Sequence, residues 1–455
     1  MNFDSHRAGL LLHPTSLPSG TLADAVRWLE FLQAAGFGVW QMLPLGLPLS
    51  GLSPYQCASA FAVNPALFPI KDQDSLPADM QGFVDWCNKQ RHWLDDYARF
   101  MVIKGEQAGA SWTDWPAALR DRDIQALAAF DVSHADKLSA IRVEQYRAAM
   151  YWQDIRSQAS ARGIELFGDM PIFVAHDSAD VWARRDLFLL DETGHPTVVT
   201  GVPPDYFSET GQRWGNPHYN WATMQTDGFS WWRARLRAHF EWFDLVRIDH
   251  FRGLQAAWMI PAHEPTAIHG EWVASPGAAL LQAIADEMGE LPLVAEDLGI
   301  ITPEVSALRH QFGLPGMAVL QFAFDSHDDN PHKPENVQPD TVYYTGTHDN
   351  DTTLGWWQDL PDQVRQQVMQ QFAISDPDAV LDAMISTVLE SRAALAILPL
   401  QDVLHLGSEA RMNTPGMENG NWTWRFAWDA LPPDLASRLR QQLQKVNRCE
   451  SHPRP

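Results

Sequence analysis

Eight short apolar runs, each closed by a polar residue, a glycine or a proline, constrain the fold of this chain more than any other feature. Helical patterns lie between many of these runs. Before the fourth strand, an amphipathic helix is predicted from large apolar residues at spacings of three and four, namely Phe229, Trp232, Leu236, Phe240 and Phe243. Strands that alternate with helices form parallel sheets, and eight such units close into a barrel. The sequence therefore predicts an α/β fold, a (β/α)8 TIM barrel. Its predicted strands span residues 8–12, 38–45, 165–174, 245–251, 293–297, 318–324, 341–345 and 396–403.

Two gaps between the predicted strands are much longer than a βα unit needs, after the second strand and after the third. Each of these long segments begins at the carboxyl end of a strand. Both should therefore overhang the face where barrel active sites lie. We therefore expect one catalytic barrel over 1–455, with subdomains inserted after strands 2 and 3. The first insertion is 46–164, including the barrel helix that follows it, and the second is 175–228. Residues after Asn447 are expected to fray.

The charge balance limits the possible partners. Thirty-three Lys and Arg against 57 Asp and Glu give a net charge of −24, which repels nucleic acid. No apolar run is long enough to span a bilayer, and the N-terminus lacks the pattern of a signal peptide. The three distant cysteines favour a reducing cytoplasm. The 20 Trp indicate carbohydrate binding, with core packing as the alternative for most of them.

Charged residues collect where three of the predicted strands end. The fourth strand carries Arg247 and Asp249, the fifth ends in Glu296, and the seventh runs into His348 and Asp349. The carboxyl ends of parallel barrel strands converge on one mouth. Cleavage of an acetal linkage needs two carboxyl groups across the bond, and a third can favour the cationic transition state. The pattern thus predicts a glycosidase-type site. A strand capped by a solvated ion pair and a metal-dependent hydrolase barrel are the alternatives.

Motifs along nearly the whole chain resemble those of the 4-α-glucanotransferases, also called amylomaltases or disproportionating enzymes. These enzymes form glycoside hydrolase family 77, a relative of the α-amylases. The motifs are LLLHPTSLPSG (10–20), SPYQ (53–56), GDMPIFV (168–174), PPDYFSETGQRWGNPHYNW (203–221), LVRIDHFRG (245–253), LVAEDLG (293–299), GLPGMAVLQFAF (313–324), YYTGTHDNDTTLGW (343–356) and GSEARMNTPG (407–416).

The resemblance implies a retaining transfer of α-1,4-glucan segments between maltooligosaccharides, or to glucose as acceptor, without cofactor or metal. Asp249 matches the nucleophile, Glu296 the general acid/base, and Asp349 the stabiliser of the transition state. A monomer or weak homodimer without nucleic-acid or membrane partners is expected. Arg247, two residues before Asp249, should point to the same side and keep it ionised. The residues that the resemblance assigns to substrate binding are Tyr55, Asp169, Tyr206, Phe207, Trp214, Arg247, His348 and Asn421.

Several residues near these motifs have structural interpretations. Asp297 follows Glu296 and faces away from it, so we interpret it as a structural hydrogen-bonding residue. Asp351 either caps a turn or belongs to the site. His13 and His250 are either buried histidines or substrate contacts. The loop at 203–221 is predicted to overhang the acceptor side, where aromatic side chains can exclude water and stack a sugar; a surface loop with an aromatic anchor is the alternative.

The chain departs from the family pattern at two places, which leave the three carboxyl groups intact. A glycine-rich segment is shortened to residues 21–24, and Gly51-Leu52 replaces the usual Gly-Asp before Tyr55. An α-amylase-like hydrolase is the alternative function, and a binding barrel without turnover is a further one. The motif at 203–221 argues against the hydrolase, and the complete set of carboxyl groups argues against the inactive barrel.

Overall fold

The computed structural model describes residues 6–69, 77–204, 208–417 and 419–449. Strands β1 to β12 of this part are Arg7–Leu11, Val39–Gln41, Glu165–Pro171, Val198–Val202, Gln212–Pro217, Leu245–Asp249, Ala256–Pro261, Glu271–Ala274, Leu293–Ala295, Gly316–Val319, Thr341–Tyr344 and Leu395–Pro399. Eight of these form one parallel sheet in the order β10-β11-β12-β1-β2-β3-β6-β9. Its two ends approach each other, since the backbone N–H of Ala295 donates to Pro315 beside β10 at 2.9 Å. The predicted (β/α)8 barrel is therefore confirmed.

Each predicted barrel strand overlaps an observed one, but most predictions extend too far at the carboxyl end. The apolar residues that mislead the prediction lie in the loops that close the barrel mouth. Leu320–Phe322 forms a 3-10 helix and Leu400–Val403 forms an α-helix, although both begin with a buried leucine. Hydrophobicity therefore marks burial beyond the point where strand pairing ends.

Alternation along β6 explains how a core strand presents charge at the barrel mouth. Leu245 packs in the cluster that fills the barrel interior, whereas Val246 and Ile248 pack beneath the surrounding helices. Successive side chains of a strand point to opposite faces, so Arg247 and Asp249 share the interior side with Leu245. The expectation that these two charged residues point the same way is confirmed.

The helices α1 to α15 surround the barrel and build its insertions. Their bounds are Ala25–Ala35, Met80–Glu106, Ala117–Arg120, Ile124–Ser133, Ala135–Ser160, Ala179–Ala183, Trp221–Thr226, Ser230–Trp242, Gly277–Met288, Pro303–Gln311, Thr353–Asp359, Asp362–Gln371, Val380–Glu390, Leu400–Val403 and Leu435–Lys445. The long helices α2 and α5 pack together in the first insertion, and α5 also packs against β3. Among the described helices, none has both the length and the apolar composition needed to cross a bilayer.

A second, antiparallel sheet covers part of the barrel mouth, with the order β5-β4-β7-β8. Strands β4 and β5 belong to the segment after the third barrel strand, whereas β7 and β8 follow the fourth. Strands β7 and β8 were not predicted from the sequence. Their sheet partner β4 comes from another part of the chain, and β7 pairs with it through residues such as Trp258 opposite Gly201. This pairing joins two separate loops into one wall.

Residues 448 and 449 do not fray as expected after Asn447, and residues 450–455 lie outside the described part of the chain. Arg448 is 1% exposed. Its guanidinium donates to the backbone carbonyls of Leu389 at 2.6 Å, Arg7 at 2.8 Å and Ala393 at 2.7 Å. These carbonyls lie at the amino-terminal side of β1 and β12, so Arg448 ties the segment that follows α15 to the bottom of the barrel. A charged donor that satisfies several buried acceptors outweighs the tendency of a terminus to fray.

Replacing Arg448 by methionine is expected to lower the free energy of unfolding by about 2–4 kcal/mol, because the buried carbonyls lose their donor. Thermal and denaturant unfolding of the two proteins would measure the difference. Arg438, an exposed residue of α15 that pairs with Asp434 at 3.0 Å, provides the control. Its replacement by methionine should change stability by less than about 0.5 kcal/mol. Equal stability of the Arg448 variant and the wild type would contradict the proposed role of the tether.

Candidate active site

The acidic residues predicted to act together lie at the carboxyl ends of barrel strands. Asp169 lies two residues before the end of β3 and Asp249 ends the neighbouring β6, since Asp169 pairs with Arg247 and Pro171 with Asp249 in the β3–β6 ladder. Glu296 directly follows β9, the strand on the other side of β6. Asp349 lies in the loop after β11. Distant segments of the chain therefore deliver their carboxyl groups to one mouth.

Arg247 joins two of these carboxylates. Its Nη2 donates to Asp249 Oδ1 at 2.8 Å, and its Nη1 donates to Asp169 Oδ2 at 2.6 Å. Arg247 and Asp169 are almost completely buried, whereas the side chain of Asp249 is 30% exposed. The ion pair thus holds Asp249 from behind and leaves part of its carboxyl group facing the cleft.

Tyr55 and His348 continue this network toward Asp349. The hydroxyl of Tyr55 donates to Asp169 Oδ2 at 2.6 Å and lies 2.8 Å from His348 Nε2. Because the single proton of the phenol goes to Asp169, His348 must donate from Nε2 to the tyrosine oxygen. The two rings stack with centroids 5.3 Å apart. Burial lowers the pKa of His348, which favours the neutral imidazole in this arrangement.

Glu296 is held by backbone amides. His250 N–H donates to its Oε2 at 2.6 Å, and Leu298 N–H donates to its Oε1 at 2.9 Å. His250 adopts φ of 53°, an uncommon left-handed conformation for a residue with a side chain. Burial raises the pKa of Glu296, although Arg247 and the two amides act in the opposite direction. A raised pKa favours the protonated form that a general acid needs.

Asp349 is positioned by a loop that entered the sequence analysis only as part of a motif. Asn413 Nδ2 donates to Asp349 Oδ1 at 2.6 Å, and Arg411 Nη2 donates to the backbone carbonyl of Asp349 at 2.9 Å. His348 Nε2 lies 3.4 Å from Asp349 Oδ2. Asn413 and Arg411 were missed from the sequence because a motif match does not say which of its side chains turn toward the site.

Burial is the main cause of an upward shift in the pKa of Asp249, and the negative charges of Asp169, Glu296 and Asp349 raise it further. Arg247 lowers the pKa of Asp249, which is the direction expected from the sequence, but its effect is the smaller one. The expectation that Arg247 keeps Asp249 ionised is therefore wrong for the net shift, because burial raises the pKa of Asp249 more than Arg247 lowers it. The three other carboxyl groups change the pKa of Asp249 because they share the same cleft.

The remaining predicted substrate-binding residues lie at different places. Trp214, on β5, meets the ring of His250 edge to face with centroids 4.9 Å apart, and the backbone N–H of His250 is the group that donates to Glu296. Tyr206 and Phe207 lie outside the described residues. The amide of Asn421 bonds the backbone of Thr414 and Met417, so in this structure it holds the loop that carries Asn413. Trp422, which was not singled out from the sequence, packs against Tyr55 and His348.

Two carboxylates near the site have structural partners. Asp297 accepts from the Met317 backbone N–H at 2.7 Å, which confirms the structural interpretation of this residue. Asp351 accepts from Thr352 N–H and from the Ser408 hydroxyl, both at 2.7 Å, and so fixes the turn after Asp349. His13 is buried, and burial lowers its pKa to about 3. The hydrogen bonds of Asp297 and Asp351 stabilise the loops around the cleft.

Taken together, a (β/α)8 barrel with paired carboxyl groups at its mouth defines a class of enzymes that act on glycosidic bonds. Comparison with known proteins specifies the family. The family model described as 4-alpha-glucanotransferase matches residues 11–81 and 68–430. The chain belongs to this family, glycoside hydrolase family 77, as its motifs indicated.

Individual relatives cover the chain almost completely. A 4-alpha-glucanotransferase from Thermus thermophilus is 44% identical, over 97% of this chain and 98% of the relative. One from Synechocystis sp. is 42% identical, over 96% of this chain and 97% of the relative. Among solved structures, an amylomaltase from Streptococcus agalactiae in complex with acarbose is 30% identical, with a TM-score of 0.93, over 98% of this chain and all of that one.

Proposed function

We propose that this protein is a retaining 4-alpha-glucanotransferase that moves α-1,4-glucan segments between maltooligosaccharides or to glucose. The observation that carries the proposal is the arrangement of Asp249 and Glu296 on adjacent barrel strands. Asp249 is held from behind by Arg247, and Glu296 is held by two backbone amides. The family of the chain, whose curated members are named as transferases, supports transfer over hydrolysis.

In the first step, an Asp249 oxygen attacks the anomeric carbon of a bound glucan. The bond from that carbon to the bridging oxygen breaks, and Glu296 gives its proton to this oxygen. The released part of the chain leaves with a free hydroxyl group, and the other part is esterified to Asp249. In the second step, Glu296 takes the proton of an acceptor hydroxyl, which attacks the same carbon and frees Asp249. Two inversions give net retention.

The surrounding carboxylates favour both steps. A neutral sugar ring gains positive charge as its glycosidic bond breaks. Asp169 and Asp349 add negative charge beside Asp249, and the network of Arg247, Tyr55 and His348 fixes these groups before substrate arrives. Charges that need not reorganise stabilise a transition state more than mobile ones do.

The distinction between transferase and hydrolase lies in what attacks the intermediate. Trp214, whose ring contacts that of His250, can stack an acceptor sugar and displace water. The experiment is incubation of the protein with maltotriose and analysis of the products. Transfer gives glucose together with maltopentaose and longer chains. An α-amylase-like hydrolase would give glucose and maltose without longer products, and this outcome would refute the transferase.

As the pH is lowered, the activity is expected to fall at a higher pH than it would if the nucleophile were an aspartate of ordinary pKa. Asp249 must be ionised to attack, and its raised pKa moves protonation above the usual value of about 3.9. Glu296 must be protonated in the first step, because it gives its proton to the leaving oxygen. Its raised pKa therefore extends the activity toward higher pH. A profile of kcat/KM against pH with maltotriose would measure both limbs. An acidic limb at about pH 4 or below would contradict this assignment.

Replacement of Asn413 by alanine is expected to lower kcat by roughly tenfold or more, because Asp349 loses the hydrogen bond that fixes its carboxylate. Maltotriose transfer at saturation would measure kcat. Asn64, which caps the 3-10 helix Pro65–Leu67 by accepting from Ala66 N–H, is the control. Its alanine variant should lose about 1 kcal/mol of stability with unchanged kcat. If the Asn413 variant has the same kcat as the Asn64 variant, Asn413 does not contribute to the active site.

The substrates that follow from this proposal are maltooligosaccharides and α-1,4-glucans, with glucose as an acceptor. Asp169, Tyr55, Arg247 and His348 are proposed to organise the sugar next to Asp249 rather than to react with it. Tyr206 and Phe207 of the second insertion are proposed acceptor contacts. A monomeric or weakly dimeric state and a cytoplasmic location stay predictions, as does the absence of nucleic-acid and membrane partners.

A further inference from the structure

Trp272 differs from the other described tryptophans of the chain because 37% of its surface is exposed. It lies on β8, the edge strand of the second sheet. Six tryptophans elsewhere are almost fully buried. A large apolar ring on an accessible strand costs hydration free energy unless it has a partner to cover it. The surroundings of Trp272 indicate what such a partner would be.

Arg252 fixes the orientation of the Trp272 ring. The guanidinium carbon lies 3.8 Å from the centre of the indole, and Nη1 donates to the Ile300 backbone carbonyl at 2.6 Å. The guanidinium thus covers one face of the indole, while 37% of the residue stays exposed. A ring held in this way loses little conformational entropy when a ligand stacks on it.

Neighbouring apolar side chains extend this surface. Trp258, directly opposite Trp272 in the β7–β8 ladder, meets it edge to face with centroids 5.4 Å apart. The indole N–H of Trp258 already donates to the Ala267 carbonyl at 3.0 Å. Ile268, which follows this carbonyl, is 46% exposed, and Ile300 is 62% exposed. We call Arg252, Trp258, Ile268, Trp272 and Ile300 the Trp272 platform.

The platform is continuous with the acid/base side of the active site. Arg252 is two residues from His250, whose N–H donates to Glu296, and Phe251 N–H donates to the Glu296 backbone carbonyl at 3.1 Å. Ile300 belongs to the loop that follows Glu296. The group that protonates a leaving oxygen stands on the side from which the leaving chain departs and the acceptor arrives. Ligand bound to the platform therefore extends toward this side.

We infer that the Trp272 platform is an accessory binding site for α-1,4-glucan chains that extend beyond the cleft on the Glu296 side. This inference rests on the proposed function, which supplies the ligand class. The apolar C–H face of a glucose unit suits a fixed indole ring, and a neutral sugar is not repelled by a chain of net charge −24. Short oligosaccharides that end inside the cleft do not reach the platform, so it contributes only to long substrates.

The test compares maltotriose with maltoheptaose in the wild type and the Trp272→Ala variant. Binding is measured by calorimetry with the Glu296→Gln substitution in both backgrounds to prevent turnover. The variant is expected to bind maltoheptaose about tenfold more weakly and maltotriose within about twofold of the parent. In the proteins with Glu296 intact, KM for maltoheptaose should rise and kcat with maltotriose should stay unchanged.

Trp428 provides a matched control, since Arg27 covers its ring at 4.1 Å and it lies on the C-terminal segment. Its alanine variant should bind maltoheptaose as the parent does. Trp272→Phe, which keeps an aromatic ring for Arg252 to cover, should retain part of the affinity and keep the parent's Tm. This second variant keeps the test valid if Trp272→Ala is unstable.

Three outcomes would overturn the inference. The first is unchanged affinity for maltoheptaose in both Trp272 variants. The second is an equal loss for maltotriose and maltoheptaose, which indicates a purely structural tryptophan. The third is a wild-type dimer that Trp272→Ala dissociates, which would assign the platform to a second copy of the chain. Absence of maltotriose transfer by the wild type is a separate result, because it would refute the proposed function itself.

Discussion

Replacement of Asp249 by asparagine is expected to reduce kcat for maltotriose transfer by about 10⁴-fold or more, because the amide cannot form the covalent ester with the sugar. The fold should persist, since the carbonyl oxygen of the new amide would still accept a hydrogen bond from Arg247. Initial rates of glucose release, together with circular dichroism and thermal unfolding, would measure both effects. Loss of the negative charge also leaves Arg247 with Asp169 as its remaining close carboxylate.

Asp244 offers a matched control at the opposite end of the same strand. It directly precedes β6, accepts from Leu166 N–H at 2.8 Å and pairs with Arg156 at 2.6 Å. Asp244→Asn is expected to cost about 1–2 kcal/mol of stability, because it weakens charge-assisted hydrogen bonds, and to leave kcat unchanged. If the Asp249 variant transferred maltotriose as fast as the Asp244 variant, Asp249 would be excluded as the nucleophile.

Replacement of Glu296 by glutamine is expected to lower kcat by about 10²–10⁴-fold, because neither the leaving oxygen nor the acceptor hydroxyl exchanges a proton with an amide. The two steps can be separated with α-maltosyl fluoride, whose leaving group needs no protonation. With this donor the first step proceeds, whereas the second step lacks its base. A maltosyl group should therefore accumulate on Asp249, and mass spectrometry of the intact protein and of its peptides would detect it.

Azide, an anionic nucleophile that needs no base, should restore turnover of the fluoride by the Glu296 variant and give a maltosyl azide. The neighbouring Asp297 is the control. It bonds to Met317 N–H and to Arg309 rather than to the cleft, so Asp297→Asn should lower Tm and show no azide effect. A Glu296 variant with wild-type transfer of maltotriose would refute the assignment of the acid/base.

The parts of the fold that follow from local pattern were predictable. Alternation of apolar runs with helices identified the barrel, since each unit carries its own signal. The helix Ser230–Trp242 followed from the spacing of Trp232, Leu236 and Phe240. Strand ends were less accurate, because buried residues such as Leu320 continue past the last strand pairing. The β7–β8 pair was missed since its sheet partner β4 lies in a different loop.

The residues of the candidate site also divide into those that the sequence identifies and those that it does not. Asp249, Glu296 and Asp349 were identifiable from their positions after apolar runs and from motifs, and the direction of Arg247 followed from strand alternation. The hydrogen bonds of Asn413 and the ring contacts of Trp422 were not identifiable, because both residues come from an irregular segment after the last barrel strand. Asn421, assigned to substrate binding from the resemblance, bonds the backbone of that same segment.

The sequence by itself determined the barrel, the family and the residue types available for chemistry, because these depend on local periodicity and on contiguous motifs. Only the tertiary structure decided which of these residues meet. Asp169 and Arg247 are far apart along the chain, yet their 2.6 Å contact exists because β3 and β6 are neighbours in the closed sheet. The balance of burial and charge that raises the pKa of Asp249 also arises from this closure. It brings together carboxyl groups whose interaction no local pattern encodes.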